Sequence, residues 1–499
     1  MNISIIRRIL GYVLILEAAM LLLPCIVALV YGESDATAFV VVSVLCLVIG
    51  AITGLKKPKS DMFYLKEGCV ATGLSWIVLS LFGCLPFYIT GTIPNFIDAL
   101  FETVSGFTTT GASILSDVES LPRCMLFWRS FTHWIGGMGI LVFLLAIVPL
   151  SGGTGSNINL MKAESPGPSV GKLRPKMRTT AGYLYAIYML ITVLEVVMLL
   201  CGKMPFFDAI TTAMGTAGTG GFGIKNDSIG GYSPYIQWVV TGFMIAFGVN
   251  FNVYFLLIFG EFKKALSIEE IRWYFFTILS AAGILFASTY DHAYHNASEA
   301  LRHSAFQTAS IITTTGFPTA DFDTWHGLSK TVLVLLMFVG ACAGSTGGGI
   351  KVSRFVVAGK GVVREIKSYV HPKSVTKIKL DKKPLDSSVT RNTYIYLITF
   401  MFVFVVSMLL VAIEGKDLLT NFTAVAATIN NIGPGLELVG PTKNFGFFTP
   451  FTKVVLIFDM LAGRLELFPM LLILNPAIWR DTAKQGRRKI TKVNNKINK

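Results

Sequence analysis

The sequence predicts an all-α polytopic membrane protein. Four pseudo-repeats of helix, re-entrant pore loop and helix surround a central pore, with two extra transmembrane helices at the N-terminus. Three observations predict it. Of 499 residues, 53% are hydrophobic and 14% charged, and the mean hydropathy is +0.62. Several apolar runs approach or exceed the ~20 residues that a helix needs to cross a bilayer. A polar, glycine-punctuated stretch, TTTG, recurs where an apolar helix should continue.

The spans follow from hydropathy and from the placement of Lys and Arg, which mark cytoplasmic loops. The net charge is +14, concentrated in a few blocks. The N-terminus starts inside. A first helix over 9–31 leads out, and a second over 38–55 returns to Lys56, Lys57 and Lys59. The first run exceeds the ~7–15 apolar residues of a signal peptide, so it reads as a retained helix. Spans over 68–90 and 124–150 go out and back, ending near Lys172, Arg174, Lys176 and Arg178. Pairs over 181–201 with 234–259, 271–290 with 328–357, and 392–413 with 450–478 repeat the trip. They end in GEFKK, in a basic loop over 351–383 and in a basic tail over 480–499, so both termini are cytoplasmic. The units are therefore 1–60, an N-terminal helix pair; 61–178, pore repeat 1; 179–265, repeat 2; 266–385, repeat 3; and 386–499, repeat 4 with the tail. One topology accounts for every basic block, which leaves no nucleic-acid partner to invoke.

Within each of the last four pairs lies a segment of intermediate polarity: NFIDALFETVSGFTTTGASIL, PFFDAITTAMGTAGTGGFGIKN, SEALRHSAFQTASIITTTGFPTAD and DLLTNFTAVAATINNIGPGLEL. Each reads as a short helix followed by a glycine turn, with the recurring glycines at Gly111, Gly220, Gly316 and Gly433. Non-helical backbone at membrane depth is tolerated only inside protein or along a water-filled path. Four such turns would line one axis. The preceding helices aim their negative C-terminal ends at it, which favours a cation. The turns carry few titratable side chains, so backbone carbonyls are the expected ligands, and glycine lets successive carbonyls face one axis.

GACAGSTGGGIKVSRF interrupts the incoming helix of the third repeat. It is not a phosphate loop, because Ile350 separates Gly349 from Lys351 and no strand precedes it. Five glycines over 340–349, Gly347, Gly348 and Gly349 among them, predict a flexible intramembrane gating loop. Arg464 lies in the last span. A buried arginine costs at least ~2.5–3.5 kcal/mol on insertion scales, so it faces a cavity or a partner such as Asp459. Lys351 and Arg464 together would place positive charge below the loops. The seven cysteines form no C-x-x-C pair and read as apolar packers. His133, His292, His295, His303, His326 and His371 are dispersed, and H-E-x-x-H, G-x-S-x-G and paired carboxylates are all missing. Neither an enzyme nor a cofactor bound by this chain is expected.

With SGFTTTGA, GTGGF, TTTGF, NNIGPG, ACAGSTGGGIKV, HWIGGMGI, HPKSV and GRLE in their places, the chain resembles the Trk/Ktr/HKT superfamily of potassium transporters over essentially its whole length. It shares the N-terminal helix pair that KtrB-type members lack. The resemblance implies potassium uptake across the bacterial inner membrane, a homodimer, contact with membrane lipid, and a cytosolic TrkA-like nucleotide-binding regulator. It puts the potassium-binding filter at Thr109, Thr110 and Gly111; Gly218, Thr219 and Gly220; Thr314, Thr315 and Gly316; and Asn431, Ile432 and Gly433. The helix break and the positive charge below the loops make Gly347, Gly348, Gly349, Lys351 and Arg464 the expected gate. Glycine in all four loops is similar to potassium-selective members, and the plain AGTGG of the second loop departs from the threonine-rich pattern. A symporter coupling potassium to protons or sodium is the alternative, with Glu17, Glu195 and Asp459 as its intramembrane carboxylates.

Overall fold

The computed structural model of the protein describes residues 1–58, 64–139, 177–373 and 377–480. Among these, six helices are long and apolar enough to cross a membrane, or seven if one bent pair counts as a span. Their outer faces carry exposed apolar side chains such as Leu29 and Leu279, 73% and 72% exposed. Such faces suit a hydrocarbon surround, and buried polar groups turn inward.

Ile3–Met20 and Leu22–Tyr31 form the first hydrophobic arm, and Ala36–Gly54 returns against it. The two backbones touch: a Cβ on Gly11 would lie 2.3 Å from the Gly54 amide nitrogen. This is how small residues let membrane helices pack closely.

Each of the four units then contributes an outer helix, a short pore helix and an inner helix. The first has Leu65–Gly83, Phe96–Phe107 and Arg123–Met138; the second Met177–Cys201, Phe206–Gly218 and Pro234–Phe247. The third has Glu269–Thr289, Ala297–Ile312 and Gly327–Val339; the fourth Ser387–Ala412, Leu418–Ile429 and Pro450–Arg464. Asn95, Asn296 and Asp417 cap three of the pore helices by accepting backbone N–H groups of their first turns, and Pro205 precedes the other.

The inner helices are 16, 14, 13 and 15 residues long. At 1.5 Å per residue each falls short of the ~30 Å hydrocarbon core. All four stop at a corresponding place, although the sequence predicts a break in the third alone. The expected continuous span over 234–259 is instead Pro234–Phe247 and Phe251–Ile258, bent by 91°. Gly248 packs closely at the bend: a Cβ there would lie 2.3 Å from the Tyr274 hydroxyl oxygen. Asn250 then caps the next helix by accepting from Asn252 N at 3.0 Å. The span expected over 450–478 breaks at Glu466 and Leu467, both with positive φ, before Phe468–Leu474. The first unit's helix ends at Met138 with Gly139 at φ 80°; the rest of its expected span, Lys172, Arg174 and Lys176, and the tail beyond residue 480 lie outside the described residues. In the third unit the interruption runs from Gly340 to Lys351, two residues past the expected loop, and Val352–Val370 follows. The strands Lys379–Leu380 and Lys383–Pro384 pair antiparallel in the basic segment.

Candidate functional site

The four pore helices end in the same way. In each, one residue adopts the left-handed conformation: Thr109, Thr219, Thr314 and Asn431, with φ of 55°, 55°, 58° and 55°. Each donates its N–H three residues back, Thr109 to Gly106 O at 3.1 Å and Thr314 to Ile311 O at 3.1 Å, for example. The next residue donates five back: Thr110 to Ser105 O, Gly220 to Gly215 O, Thr315 to Ser310 O and Ile432 to Ala427 O, at 2.8–2.9 Å. This is the Schellman closure, usually completed by glycine. A β-branched residue there stores strain of order 1–3 kcal/mol, which marks functional positions.

Two residues after each of these comes a glycine with positive φ: Gly111 at 79°, Gly221 at 79°, Gly316 at 81° and Gly433 at 99°. The sequence places the second recurring glycine at Gly220; the backbone registers Gly221. Two adjacent glycines leave the register open in one dimension, and left-handed Thr219 settles it. Gly218 accordingly falls at the end of its pore helix.

The glycines close a ring. A Cβ on Gly111 would lie 2.1 Å from Gly220 O, one on Gly221 2.1 Å from Thr315 O, one on Gly316 1.9 Å from Ile432 O, and one on Gly433 2.7 Å from Thr110 O. Each loop thus rests against the middle carbonyl of the next, and the fourth returns to the first. Thr109, Thr110, Thr219, Thr314, Thr315 and Asn431 are fully buried here.

Side chains brace the ring differently from unit to unit. Thr108 donates to Val104 O at 2.6 Å and meets Thr110 Oγ1 at 2.8 Å; Thr313 donates to Ala309 O at 2.7 Å and meets Thr315 Oγ1 at 2.8 Å. Asn430 Nδ2 donates to Ala426 O at 2.9 Å, and Asn431 Nδ2 reaches across to Thr110 Oγ1 at 3.0 Å. The second unit has glycines at the corresponding places, and His133 of the first unit's inner helix packs there instead. Above the ring, buried Arg129 donates to Glu102 at 2.8 Å and to Gly223 O at 3.1 Å, tying the first two loops together. Neither His133 nor this pair is singled out by spacing.

Beneath the ring sits the interrupted helix. Gly348 N donates to Thr314 Oγ1 at 2.6 Å, and a Cβ on Gly348 would lie 2.5 Å from Asn430 O. Lys351 Nζ donates to Gly347 O. Arg464 donates to Thr346 O and Gly137 O, both at 2.8 Å, and to Gly136 O. It therefore bridges this loop to the end of the first unit's inner helix. Asp459, its candidate partner, accepts instead from Ser407 Oγ at 2.6 Å. Lys351, Arg464, Glu466 and Trp76 share the wall of a cavity of ≈ 100 Å³ with Gly347, Gly348 and Gly349.

The loop is also held from behind. Cys342 N donates to Gly248 O at 3.1 Å and Phe251 N to Gly344 O at 3.0 Å, stitching it to the bend of the second unit. Buried Glu270 accepts from Ala343 N at 2.7 Å and Ser353 N at 3.2 Å, grasping both ends. Its neighbour Glu269 bonds Lys360 Nζ at 2.6 Å, and Glu269 N donates to Asp381 of the hairpin at 2.7 Å. Glu269 and Glu270 stand side by side in the first turn of their helix, and the packing separates their roles. Among the described residues, no group of three His, Cys, Asp or Glu could hold a metal ion.

Residues 36–480 match the family model for TrkH, described as a cation transport protein. The Trk system potassium uptake protein TrkH of Salmonella typhimurium is 37% identical over 489 residues, covering 96% of this chain and 100% of that protein. Its Escherichia coli counterpart is 36% identical over 491 residues, with 96% and 100% covered. The crystal structure of the potassium transporter TrkH from Vibrio parahaemolyticus matches at a TM-score of 0.85 and 34% identity, covering 96% of this chain and 100% of that one. The closed ring, the braced loop beneath it and these likenesses agree, and the chain belongs to the TrkH family of cation transport proteins.

Proposed function

We propose that this protein takes up potassium across the bacterial inner membrane, with both termini in the cytoplasm. The observation that carries the reading is the closed ring, in which each glycine rests on the next loop's carbonyl. The cation exchanges its hydration shell for carbonyl oxygens of the four loops, with Thr110, Gly220, Thr315 and Ile432 at the middle of each. Four pore-helix C-termini add negative potential at the centre. Inward movement is driven by the membrane potential, worth ~2.3 kcal/mol per charge per 100 mV. The loop over 340–351 serves as the gate, and its bonds to Thr314, Arg464 and Glu270 support that reading because they hold it beneath the ring.

Symport with protons or sodium would need a titratable group on the path. Glu17 belongs to the first helix, Glu195 to the second unit's outer helix, and Asp459 is bonded to Ser407. None of these three lines the cavity beneath the ring; the titratable groups there are Lys351, bonded to Gly347 O, and Glu466, paired with Arg354. In liposomes, the reversal potential is expected to follow the potassium gradient alone. A shift with pH or with sodium would replace this reading with symport.

The relatives are named as parts of a Trk system, which supports work with other Trk components; we propose a cytosolic, nucleotide-binding TrkA-like regulator as that partner, and a homodimer of this chain. Glu269 and Glu270 supply a route from that side: one is bonded to the cytoplasmic hairpin and the other to the gate. Exposed Lys377, Lys382 and Lys383 surround that hairpin. Reversing all three to Glu is expected to abolish co-purification of the regulator. Retained regulator with lost binding to anionic vesicles would assign the block to lipid, whose attraction is about 1 kcal/mol per basic residue.

A further inference from the structure

The second loop breaks the pattern of the others. At the middle of the ring stand Thr110, Thr315 and Ile432, but Gly220 in the second unit. Gly220 is not a glycine for backbone reasons, because its φ is not left-handed, unlike that of Gly221. A neighbour excludes the side chain. A Cβ on Gly220 would lie 2.2 Å from His133 Cγ and 2.4 Å from its Nδ1. At Gly218 a Cβ would lie 2.2 Å from the His133 carbonyl oxygen. The imidazole of the first unit's inner helix occupies the space that loop side chains fill elsewhere.

That imidazole is fully buried and committed at both nitrogens. Nδ1 lies 2.7 Å from Gly106 O, which can only accept, so Nδ1 carries the proton. Nε2 then accepts from Phe222 N at 3.2 Å. Only the neutral ring in this tautomer satisfies both bonds. Gly106 lies in the last turn of the first pore helix, and Phe222 follows the ring glycine Gly221. The Phe222 ring packs on the imidazole with centroids 4.2 Å apart. One side chain therefore joins the first pore helix to the second loop, where Thr108–Thr110 and Thr313–Thr315 contacts brace their own loops.

We propose that His133 is a specificity-determining positioning residue: from the first unit it sets where the second loop stands in the ring, and so how closely the ring matches potassium against the smaller sodium ion. The inference rests on reading the ring as the cation filter. His133 acts through Gly220 and Phe222 and need not touch the ion. If it spaces the loop, removing its ring makes room for a side chain at Gly220, and the two positions compensate.

The test is the potassium-over-sodium flux ratio in proteoliposomes of monodisperse protein. His133→Ala is expected to lower the ratio roughly tenfold, the scale of one buried hydrogen-bonding group left unpaired. Gly220→Ser is expected to lower it as well, and the double variant to stand nearer wild type than either single. His133→Leu fills the space without either hydrogen bond and stands in if His133→Ala is not monodisperse. A wild-type ratio in a monodisperse His133 variant overturns the proposal, and so does a double variant no better than the worse single. Gly316→Ser, measured alongside, separates the two readings. If it too leaves the ratio unchanged, the filter itself is misplaced; if it alone lowers the ratio, only the role of His133 is lost.

Discussion

Gly316→Ser is expected to abolish selective potassium uptake while the protein still inserts and purifies. Two effects coincide at this position. The φ of 81° is one that residues with a Cβ adopt only under strain, at roughly 1–2 kcal/mol. The added Cβ would also stand 1.9 Å from Ile432 O, a backbone atom with no side-chain rotamer to relieve it. Either the third loop or the fourth must move, and both belong to the ring. Insertion depends on the long outer helices, which the change does not touch. Gly111 and Gly221, each at 2.1 Å from a neighbouring carbonyl, should behave alike, and Gly433, at 2.7 Å, should be mildest. Rubidium and sodium fluxes at matched protein content decide it. A sodium-to-potassium ratio unchanged from wild type would show that the glycine does not shape the path.

That order of severity could not be taken from the sequence, although the glycines themselves could. Apolar runs bounded by Lys and Arg located the outer helices, since hydropathy and charge act on one helix at a time. TTTG located two of the loops because its polarity conflicts with its surroundings. The second loop was one residue out: GTGG offers two glycines, and only the left-handed turn at Thr219 selects Gly221. The bend after Phe247 was missed because Gly248, Val249 and Asn250 make a weak signal beside the glycine run over 340–349. His133 and Glu270 owe their roles to partners far along the chain, Phe222 and Ala343. A lone histidine in an apolar helix, or an acid in a first turn, carries no mark of such partners.

Arg464→Ala is expected to raise potassium flux and to weaken its dependence on the regulator. The guanidinium bridges Thr346 O of the loop over 340–351 to Gly136 O and Gly137 O of the first unit. The gate cannot leave the ring without breaking the Thr346 bond and the Gly348–Thr314 bond. Hydrogen bonds to charged groups contribute about 1.5–3 kcal/mol each, so losing Arg464 shifts the balance toward open by roughly ten- to a hundredfold. Arg464 and Gly137 line the ≈ 100 Å³ cavity, where water can take the place of the guanidinium. Removing a positive charge also lowers the barrier to a cation below the ring. Ala343 N and Ser353 N both donate to Glu270 Oε1, so Glu270→Gln can keep both bonds and loses only the charge that strengthens them; it should act in the same direction and more weakly. Deleting residues 343–348 removes the gate's contacts with Thr314, Arg464 and Glu270 at once and should give the largest flux with the least response to regulator. All three belong in liposomes at matched protein content, with and without the regulator. If the deletion inserts normally yet flux stays low and regulator-dependent, the loop is a packing element. The barrier would then lie at one of the other inner-helix breaks, of which the bend between Pro234–Phe247 and Phe251–Ile258 is bonded to the loop and is the next place to cut.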